Sequence, residues 1–326
     1  MSKKFKVVVT DHVFDSFDIE HEALAGADAE LAVCQCKTQD EMREAVKDAD
    51  AVLNTYLGGL DKSVFASAPK LRVVVRYGIG LDTINVPDAT ACGIMVANVP
   101  DYCIEEVADH ATALFLTLAR KTALSDAQVK GGQWSLSYLK PLAGITDMTA
   151  GVIGFGRIGK AIAARLKPFG LRVTFYDPAI DRDTDGAECV DFRRLLENSD
   201  VIFVQCPSTE ATRHLLNKDA FAAMKKKPLV INAARGAIVD TDAMAWALEK
   251  NLVSGAGLDV LEDIEAVVEK DHPFKSLPNV VLTPHSAWYS ESAIQKLHSK
   301  AVGQVVQVLN GEQPTYLVNP EALEKK

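Results

Sequence analysis

At 326 residues the chain exceeds what one hydrophobic core usually organises, so two domains are expected. Hydrophobic residues at 48% and charged residues at 24% describe a globular chain and exclude wholesale disorder. A formal net charge of -9 argues against a nucleic-acid partner, whose phosphates need clustered Lys and Arg; the runs Lys3-Lys4 and Lys225-Lys226-Lys227 are short enough to be solvated surface.

In chain order, Met1-Ser2-Lys3-Lys4 leads directly into a strand at Phe5-Val9, with no apolar leader segment. No stretch approaches 18 uninterrupted apolar residues, so no membrane partner is expected and the expected location is cytoplasmic. Strand candidates follow at Leu31-Cys34, Ala51-Asn54, Leu71-Val75 and Ile94-Ala97, then at Val152-Gly154, Arg172-Tyr176, Val201-Gln205, Leu229-Asn232, Gly255-Asp259 and Val280-Thr283. They alternate with helix-like segments, the pattern of parallel sheets with crossover helices, and they fall into two sets, implying two α/β sheets. Asp48-Ala49-Asp50-Ala51-Val52-Leu53 in the first set is echoed by Asn198-Ser199-Asp200-Val201-Ile202-Phe203 in the second.

Between the sets, Ile104, Val107, Ala108, Ala111, Phe115 and Leu118 recur at helical spacing and predict a long helix joining the domains, with Glu105 and Glu106 as its acidic first turn. Near the end, Ile294, Leu297, Ala301, Val302, Val305 and Leu309 mark another amphipathic helix stopped by Asn310-Gly311. That helix reads as a return to the first domain, which would make the first domain discontinuous. The six cysteines, at 34, 36, 92, 103, 189 and 206, are scattered; Cys34-Gln35-Cys36 lacks a second pair for zinc, so no metal is expected.

Gly151-Val152-Ile153-Gly154-Phe155-Gly156-Arg157-Ile158-Gly159 places G-x-G-x-x-G at Gly154, Gly156 and Gly159, directly after a strand and before a helix carrying Ile158, Ala161, Ile162 and Leu166. Gly154 would allow the tight turn, Gly156 the approach of a pyrophosphate, and Gly159 the packing of helix on strand. Amides near Arg157 and Ile158 would face the phosphates from the helix N-terminus. Asp177, at the end of the next strand, is placed to accept from ribose hydroxyls and to repel a 2′-phosphate, which favours NAD over NADP; Arg182 nearby is the one feature pointing the other way.

Three later segments each follow a strand of the second set: Asn232-Ala233-Ala234-Arg235-Gly236, Gly257-Leu258-Asp259-Val260 and Thr283-Pro284-His285-Ser286-Ala287-Trp288. An Arg and a His brought to bound NAD suit reduction of a 2-keto acid. The guanidinium can hold a carboxylate and polarise the adjacent carbonyl, and an imidazolium can donate the proton the new alkoxide needs. His12, His21, His110, His214, His272 and His298 carry no comparable context and read as surface or satisfied core residues.

Together with the glycine turn, these segments resemble the D-isomer-specific 2-hydroxyacid dehydrogenase family over nearly the whole chain. Arg76-Tyr77-Gly78-Ile79-Gly80-Leu81-Asp82 and Asn98-Val99-Pro100-Asp101-Tyr102 also look like that family's motifs. Arg76 and His285-Ser286-Ala287-Trp288-Tyr289-Ser290 look closest to its C-terminal-binding-protein-like and phosphoglycerate-dehydrogenase-like branch. The resemblance implies an α/β fold of two doubly wound parallel-sheet domains. One is a discontinuous flavodoxin-like substrate domain at 1–100 and 290–326; the other is a Rossmann NAD-binding domain at 101–289. It implies a homodimer through the helix near 104–121. Residue by residue, Arg235 would bind and polarise a 2-keto or 2-hydroxy acid substrate and His285 would be the acid/base. Amides around Tyr77, Gly78 and Ile79 would hold the substrate carboxylate, and Arg76 and Trp288 would shape the side-chain pocket. Asp259 would take the nicotinamide carboxamide, with Cys206, Pro207, Thr212, Ala233, Ala234 and Ser286 around the cofactor.

One position departs from the family pattern. A catalytic Glu is expected five residues after the strand-end Asp, to orient the His, but Ile264 stands there, flanked by Glu262 and Glu265. A local bulge would let Glu265 reach His285, with Glu262 as the second choice. If the chemistry were weakened by that departure, the alternative is an NAD(H)-responsive binding or regulatory protein of the co-repressor type. The substrate tail stays open: Arg76 suggests a polar or acidic group and Trp288 an apolar one.

Overall fold

A computed structural model describes residues 4–268 and 272–325. It divides into two units, one of Met1–Tyr102 with Ser290–Lys326 and one of Cys103–Tyr289. Each is built on a single parallel sheet.

In the first unit the strands β1 (Phe5–Val9), β2 (Ala29–Val33), β3 (Ala51–Asn54), β4 (Val73–Arg76) and β5 (Met95–Ala97) lie in the order β2-β1-β3-β4-β5, that of flavodoxin-like sheets. Runs such as Val7-Val8-Val9 and Val73-Val74-Val75 are buried on both faces, as a sheet covered by helices on each side requires. Val8, Val52, Val74 and Val96 share one core with Met42, Val46, Val64 and Phe65 from the helices Gln39–Val46 and Lys62–Ala66. β2, β4 and β5 differ in extent from expectation, β5 only by starting one residue later, at Met95, and the other two for local reasons. Asp28 takes a left-handed turn (φ 52°), so β2 starts at Ala29. The Leu71 amide is held by the Ala68 carbonyl, so β4 starts at Val73.

The helix Glu291–Leu309, capped by Ser290, buries Leu297, Ala301, Val302 and Val305 and packs on β4 and on the helix Asp18–Gly26. The segment after it covers the exposed edge of β5. Val318 donates to the Val96 carbonyl at 2.8 Å, and Asn319 accepts from the Val96 amide at 2.7 Å while donating to Ile94.

In the second unit β6 (Thr149–Ile153), β7 (Arg172–Tyr176), β8 (Glu188–Cys189), β9 (Val201–Val204), β10 (Leu229–Asn232), β11 (Gly255–Leu258) and β12 (Val280–Leu282) run parallel in the order β12-β11-β10-β9-β6-β7-β8, a dinucleotide-binding arrangement that reverses at β6. β8, two residues at the edge, is too short to leave a hydrophobic run in the sequence. β6 reaches back through Thr149-Ala150-Gly151, small residues that carry little strand preference; a Cβ on Gly151 would collide with Ser199 and lie 2.7 Å from Leu195.

The helix Ile104–Ala119 turns Val107, Ala108, Ala111, Leu114, Phe115 and Leu118 onto the same unit, against β10, β11 and the helix Arg157–Leu166. By contrast, the next helix, Thr122–Lys130, has no buried residue, and Trp134 (91% exposed) and Leu136 (71%) project beyond it. No helix among the described residues is long and apolar enough to cross a membrane.

Asp11, at the end of β1, is a buried splint in the first unit. Its carboxylate accepts from the amides of Thr55 (3.1 Å), Tyr56 (2.6 Å) and Leu57 (2.8 Å), from the Asn54 side chain and from Thr10. Replacing it with Ala strips three backbone donors of their acceptor, and urea unfolding should report a loss of roughly 3 kcal/mol against the parent protein.

Candidate active site

Every strand of the second unit ends at the same sheet edge, where open α/β sheets bind ligands. In sheet order that edge carries the His285 segment after β12, Asp259 after β11, Arg235 after β10, Cys206-Pro207 after β9, the glycine turn after β6 and Asp177 after β7. Arg235, Asp259 and His285 thus stand at one end of the row and Asp177, the residue expected to meet a ribose, at the other.

The glycine turn has the form a dinucleotide needs. Gly154 has φ 90°, and a Cβ there would lie 2.6 Å from the Cys206 nitrogen, so only glycine lets the turn rest against β9's end. A Cβ on Gly159 would collide with the Gly154 carbonyl. Above Gly156 there is nothing within 4 Å of where a Cβ would stand, which leaves room for a pyrophosphate. Gly156 caps the helix Arg157–Leu166 without a side-chain hydrogen bond, so the first-turn amides at Arg157 and Ile158 face open space. Asp177 accepts from the Phe155 amide at 2.8 Å and the Ala179 amide at 2.9 Å, which fixes its carboxylate beside the turn; Arg182 is exposed. The Cys206 thiol is pushed up to about 11, chiefly by burial and further by the Asp177 charge, against a lowering backbone hydrogen bond, so it is a neutral wall. Thr212 knots its own loop, donating to the Pro207 carbonyl at 2.6 Å, and Ala233 and Ala234 are buried.

Arg235 follows β10 in a turn held by Asn232, whose side chain donates to the Arg235 carbonyl and accepts from the Ala234 amide. Its guanidinium donates to the Ala234 carbonyl at 2.7 Å. His285 sits in the left-handed region (φ 53°), a conformation a non-glycine residue holds only when its surroundings insist. Asp259 supplies that insistence. Its carbonyl accepts the His285 amide at 2.8 Å, and its buried carboxylate accepts from Thr283 Oγ1 (2.6 Å) and from the amides of Ser286 (2.9 Å) and Ala287 (3.0 Å). Asp259 is therefore engaged mainly in shaping the His285 loop, as is Ser286 through its amide. His110, which the sequence did not single out, joins this cluster with Nε2 3.0 Å from Thr283 Oγ1 and 3.5 Å from Asp259. Its spacing was informative: it lies one turn before Leu114 and two before Leu118, the residues that meet β11 at Gly257.

Of the two candidate carboxylates, Glu262 is held elsewhere, 2.6 Å from His214 Nε2 and 2.6 Å from the Arg213 guanidinium. Ile264 opens the helix Ile264–Val268 and is exposed. Glu265 lies in that helix, and its side chain falls outside the described residues. Trp288 is half-buried and stacks edge-on with Tyr289.

In the first unit, the loop after β4 narrows one expectation. The Tyr77 amide donates to the Asn54 carbonyl (2.8 Å) and the Gly78 amide to the Arg76 carbonyl (2.9 Å), so of the three amides anticipated for a carboxylate, those two are committed. Among the described residues the amides of Ile79 and Gly80 have no backbone partner. Arg76 is buried and turned back on its own loop, donating to the Tyr77 carbonyl at 2.6 Å with its guanidinium 5.6 Å from the Tyr56 ring.

Residues 112–287 match the family described as D-isomer specific 2-hydroxyacid dehydrogenase, NAD binding domain. The chain is 36% identical to a glyoxylate reductase of Korarchaeum cryptofilum over 286 residues, 86% of each protein. It is 34% identical to a D-3-phosphoglycerate dehydrogenase of Methanocaldococcus jannaschii over 319 residues, 96% of this chain and 59% of that one. Its fold matches the D-lactate dehydrogenase of Aquifex aeolicus complexed with NAD and lactic acid, with a TM-score of 0.85 and 28% identity over 98% of each chain.

The expected preference for NAD over NADP is tested at one carboxylate. Replacing Asp177 with Ser should weaken NADH binding about tenfold and strengthen NADPH binding, since a lost charge-assisted hydrogen bond costs about 1.4 kcal/mol or more. Fluorescence titration of both nucleotides checks this, and unchanged NADH affinity would refute it.

Proposed function

The chain belongs to the D-isomer-specific 2-hydroxyacid dehydrogenase family, and we propose that Arg235 and His285 carry out its chemistry on a small 2-keto acid. It is an NAD-dependent oxidoreductase that interconverts a 2-hydroxy acid and the matching 2-keto acid. The observation that carries the residue assignment is that Arg235, Asp259 and His285 end three neighbouring strands, with Asp259 bonded to the histidine loop.

The glycine turn and Asp177 would hold NADH, which would supply the hydride that the carbonyl carbon needs. The Arg235 guanidinium pairs with the substrate's carboxylate and carbonyl oxygens and stabilises the charge that grows on the latter. The His285 imidazolium gives its proton to that oxygen, completing the hydroxy acid; in the reverse direction the neutral imidazole takes the hydroxyl proton. Substrate contacts are proposed for the amides of Ile79 and Gly80 and for the ring of Trp288, with Arg76 stiffening the loop rather than touching the substrate tail. Glu265 is proposed to orient His285, since Glu262 is already held by His214 and Arg213. A cytoplasmic location belongs to the same reading.

Kinetics with NADH and a panel of 2-keto acids, glyoxylate among them, test the assignment. Arg235→Ala should lower kcat/KM on the order of 10³-fold while leaving NADH binding intact. Glu265→Gln should lower kcat by about 10²-fold and Glu262→Gln by far less. Full activity in the Arg235 variant removes the proposal, and equal effects at 262 and 265 remove the choice of Glu265.

A homodimer is part of the proposal, formed by the segment after the helix Ile104–Ala119, because that helix uses its own apolar face within its unit while Val129, Trp134 and Leu136 are exposed. Sedimentation should give twice the monomer mass for the parent protein and the monomer mass for a Trp134→Arg, Leu136→Asp double variant. A monomeric parent contradicts the dimer.

A further inference from the structure

Glu20 and His298 are buried polar residues of the first unit to which the reaction assigns nothing. Glu20, in the helix Asp18–Gly26, and His298, in the helix Glu291–Leu309, are both almost wholly enclosed. One oxygen of Glu20, Oε1, accepts from His298 Nδ1 at 2.7 Å and from the Tyr77 hydroxyl at 2.8 Å. Phe14 closes the cluster, its ring 4.3 Å from that of His298 and 5.2 Å from that of Tyr77. A carboxylate withdrawn from water among aromatic rings is costly unless its partners are well placed. Here Glu20 Oε2 and His298 Nε2 have no partner among the described residues, so the cluster is not optimised for stability alone.

What the three residues share is Tyr77, the first residue of the loop that presents Ile79 and Gly80. Beyond Tyr77 that loop has little stiffness of its own, because Ile79 lies between two glycines and Gly78 takes φ 144°. Its far side is tied by the Asn98 side chain, which donates to the Ile79 carbonyl at 2.7 Å, and by the Val99 amide, which donates to the Gly78 carbonyl at 2.9 Å. Its near side depends on Tyr77, whose amide is fixed to Asn54 and whose hydroxyl is fixed to Glu20. Burial, reinforced by the Glu20 charge, pushes the phenol well above its ordinary range, so Tyr77 stays a donor.

We propose that Glu20 and His298 are positioning residues for substrate binding: through the Tyr77 hydroxyl they hold the Tyr77–Gly80 loop in the form that offers the Ile79 and Gly80 amides to a carboxylate. This rests on the assignment of those amides to the substrate carboxylate made above. His298 fixes the Glu20 carboxylate, Glu20 fixes the Tyr77 ring, and the ring sets the direction of the peptide that follows.

The test is Tyr77→Phe, which keeps the ring and its packing and removes only the hydroxyl, beside Glu20→Gln, which keeps an acceptor oxygen for both donors. Amide hydrogen exchange across residues 78–81 and steady-state kinetics are measured on both, with NADH binding as a control. In Tyr77→Phe the loop amides should exchange several-fold faster while those of β4 do not. The KM for the keto acid should rise about tenfold, the worth of one hydrogen bond to a charged group, with kcat within about twofold. Glu20→Gln, whose neutral oxygen is the weaker acceptor, should move loop exchange and KM in the same direction as Tyr77→Phe and by less, and parent values in both would remove the part assigned to Glu20. Unchanged loop exchange in Tyr77→Phe overturns the proposal, and so does faster exchange with unchanged KM, the pattern of a merely structural contact. If the parent turns over no keto acid, the proposed reaction fails on its own account, and oxamate affinity in the NADH complex replaces KM as the readout for the loop.

Discussion

In a sheet whose strands all run one way, every strand delivers its last residue to the same edge, and the second unit depends on that constraint. Seven parallel strands place Asp177, the glycine turn, Cys206, Arg235, Asp259 and His285 in one row, in an order set by hydrogen-bond pairing and not by sequence. Residues as far apart in sequence as Gly154 and His285 come to the same edge because β6 and β12 belong to one sheet. Substitutions that shift a strand's register would move all of them together.

What keeps these edge loops in shape is a recurring use of enclosed carboxylates. Asp11 collects the amides of Thr55, Tyr56 and Leu57, and Asp259 collects those of Ser286 and Ala287; Glu20 collects two side-chain donors instead. Each carboxylate removed from water needs several donors to offset its lost hydration, and loops, whose amides lack ladder partners, are where such donors are found. The same bonds hold His285 in a backbone conformation it would not choose alone.

The parts of the site that could be read from the sequence are those whose physics is local. Gly154, Gly156 and Gly159 act through their own backbone geometry, and Asp177 follows the next strand at a fixed distance along the chain, so spacing was enough to find them. Arg235 and His285 were singled out through the segments around them, and the sheet brings them to one edge. The contacts of His110, Glu20 and His298 were out of reach because each partner lies more than 50 residues away, although all three lie on apolar helix stripes where a polar residue invites the question. That the amides of Tyr77 and Gly78 already have backbone acceptors was not legible, because a motif does not reveal which donors the backbone has used. β8 was missed because two residues leave no periodicity.

The contact of Val318 and Asn319 with the edge of β5 bears on how the chain is made as well as on how it is held together. The first unit opens the sequence, yet its edge strand is closed by residues that lie beyond the whole of the second unit. During vectorial synthesis the second unit can therefore be complete while the first still presents an open β5 and lacks the helix that covers β4. The first unit, although it begins the chain, is thus the later of the two to mature, and it is the part a chaperone would have most reason to guard.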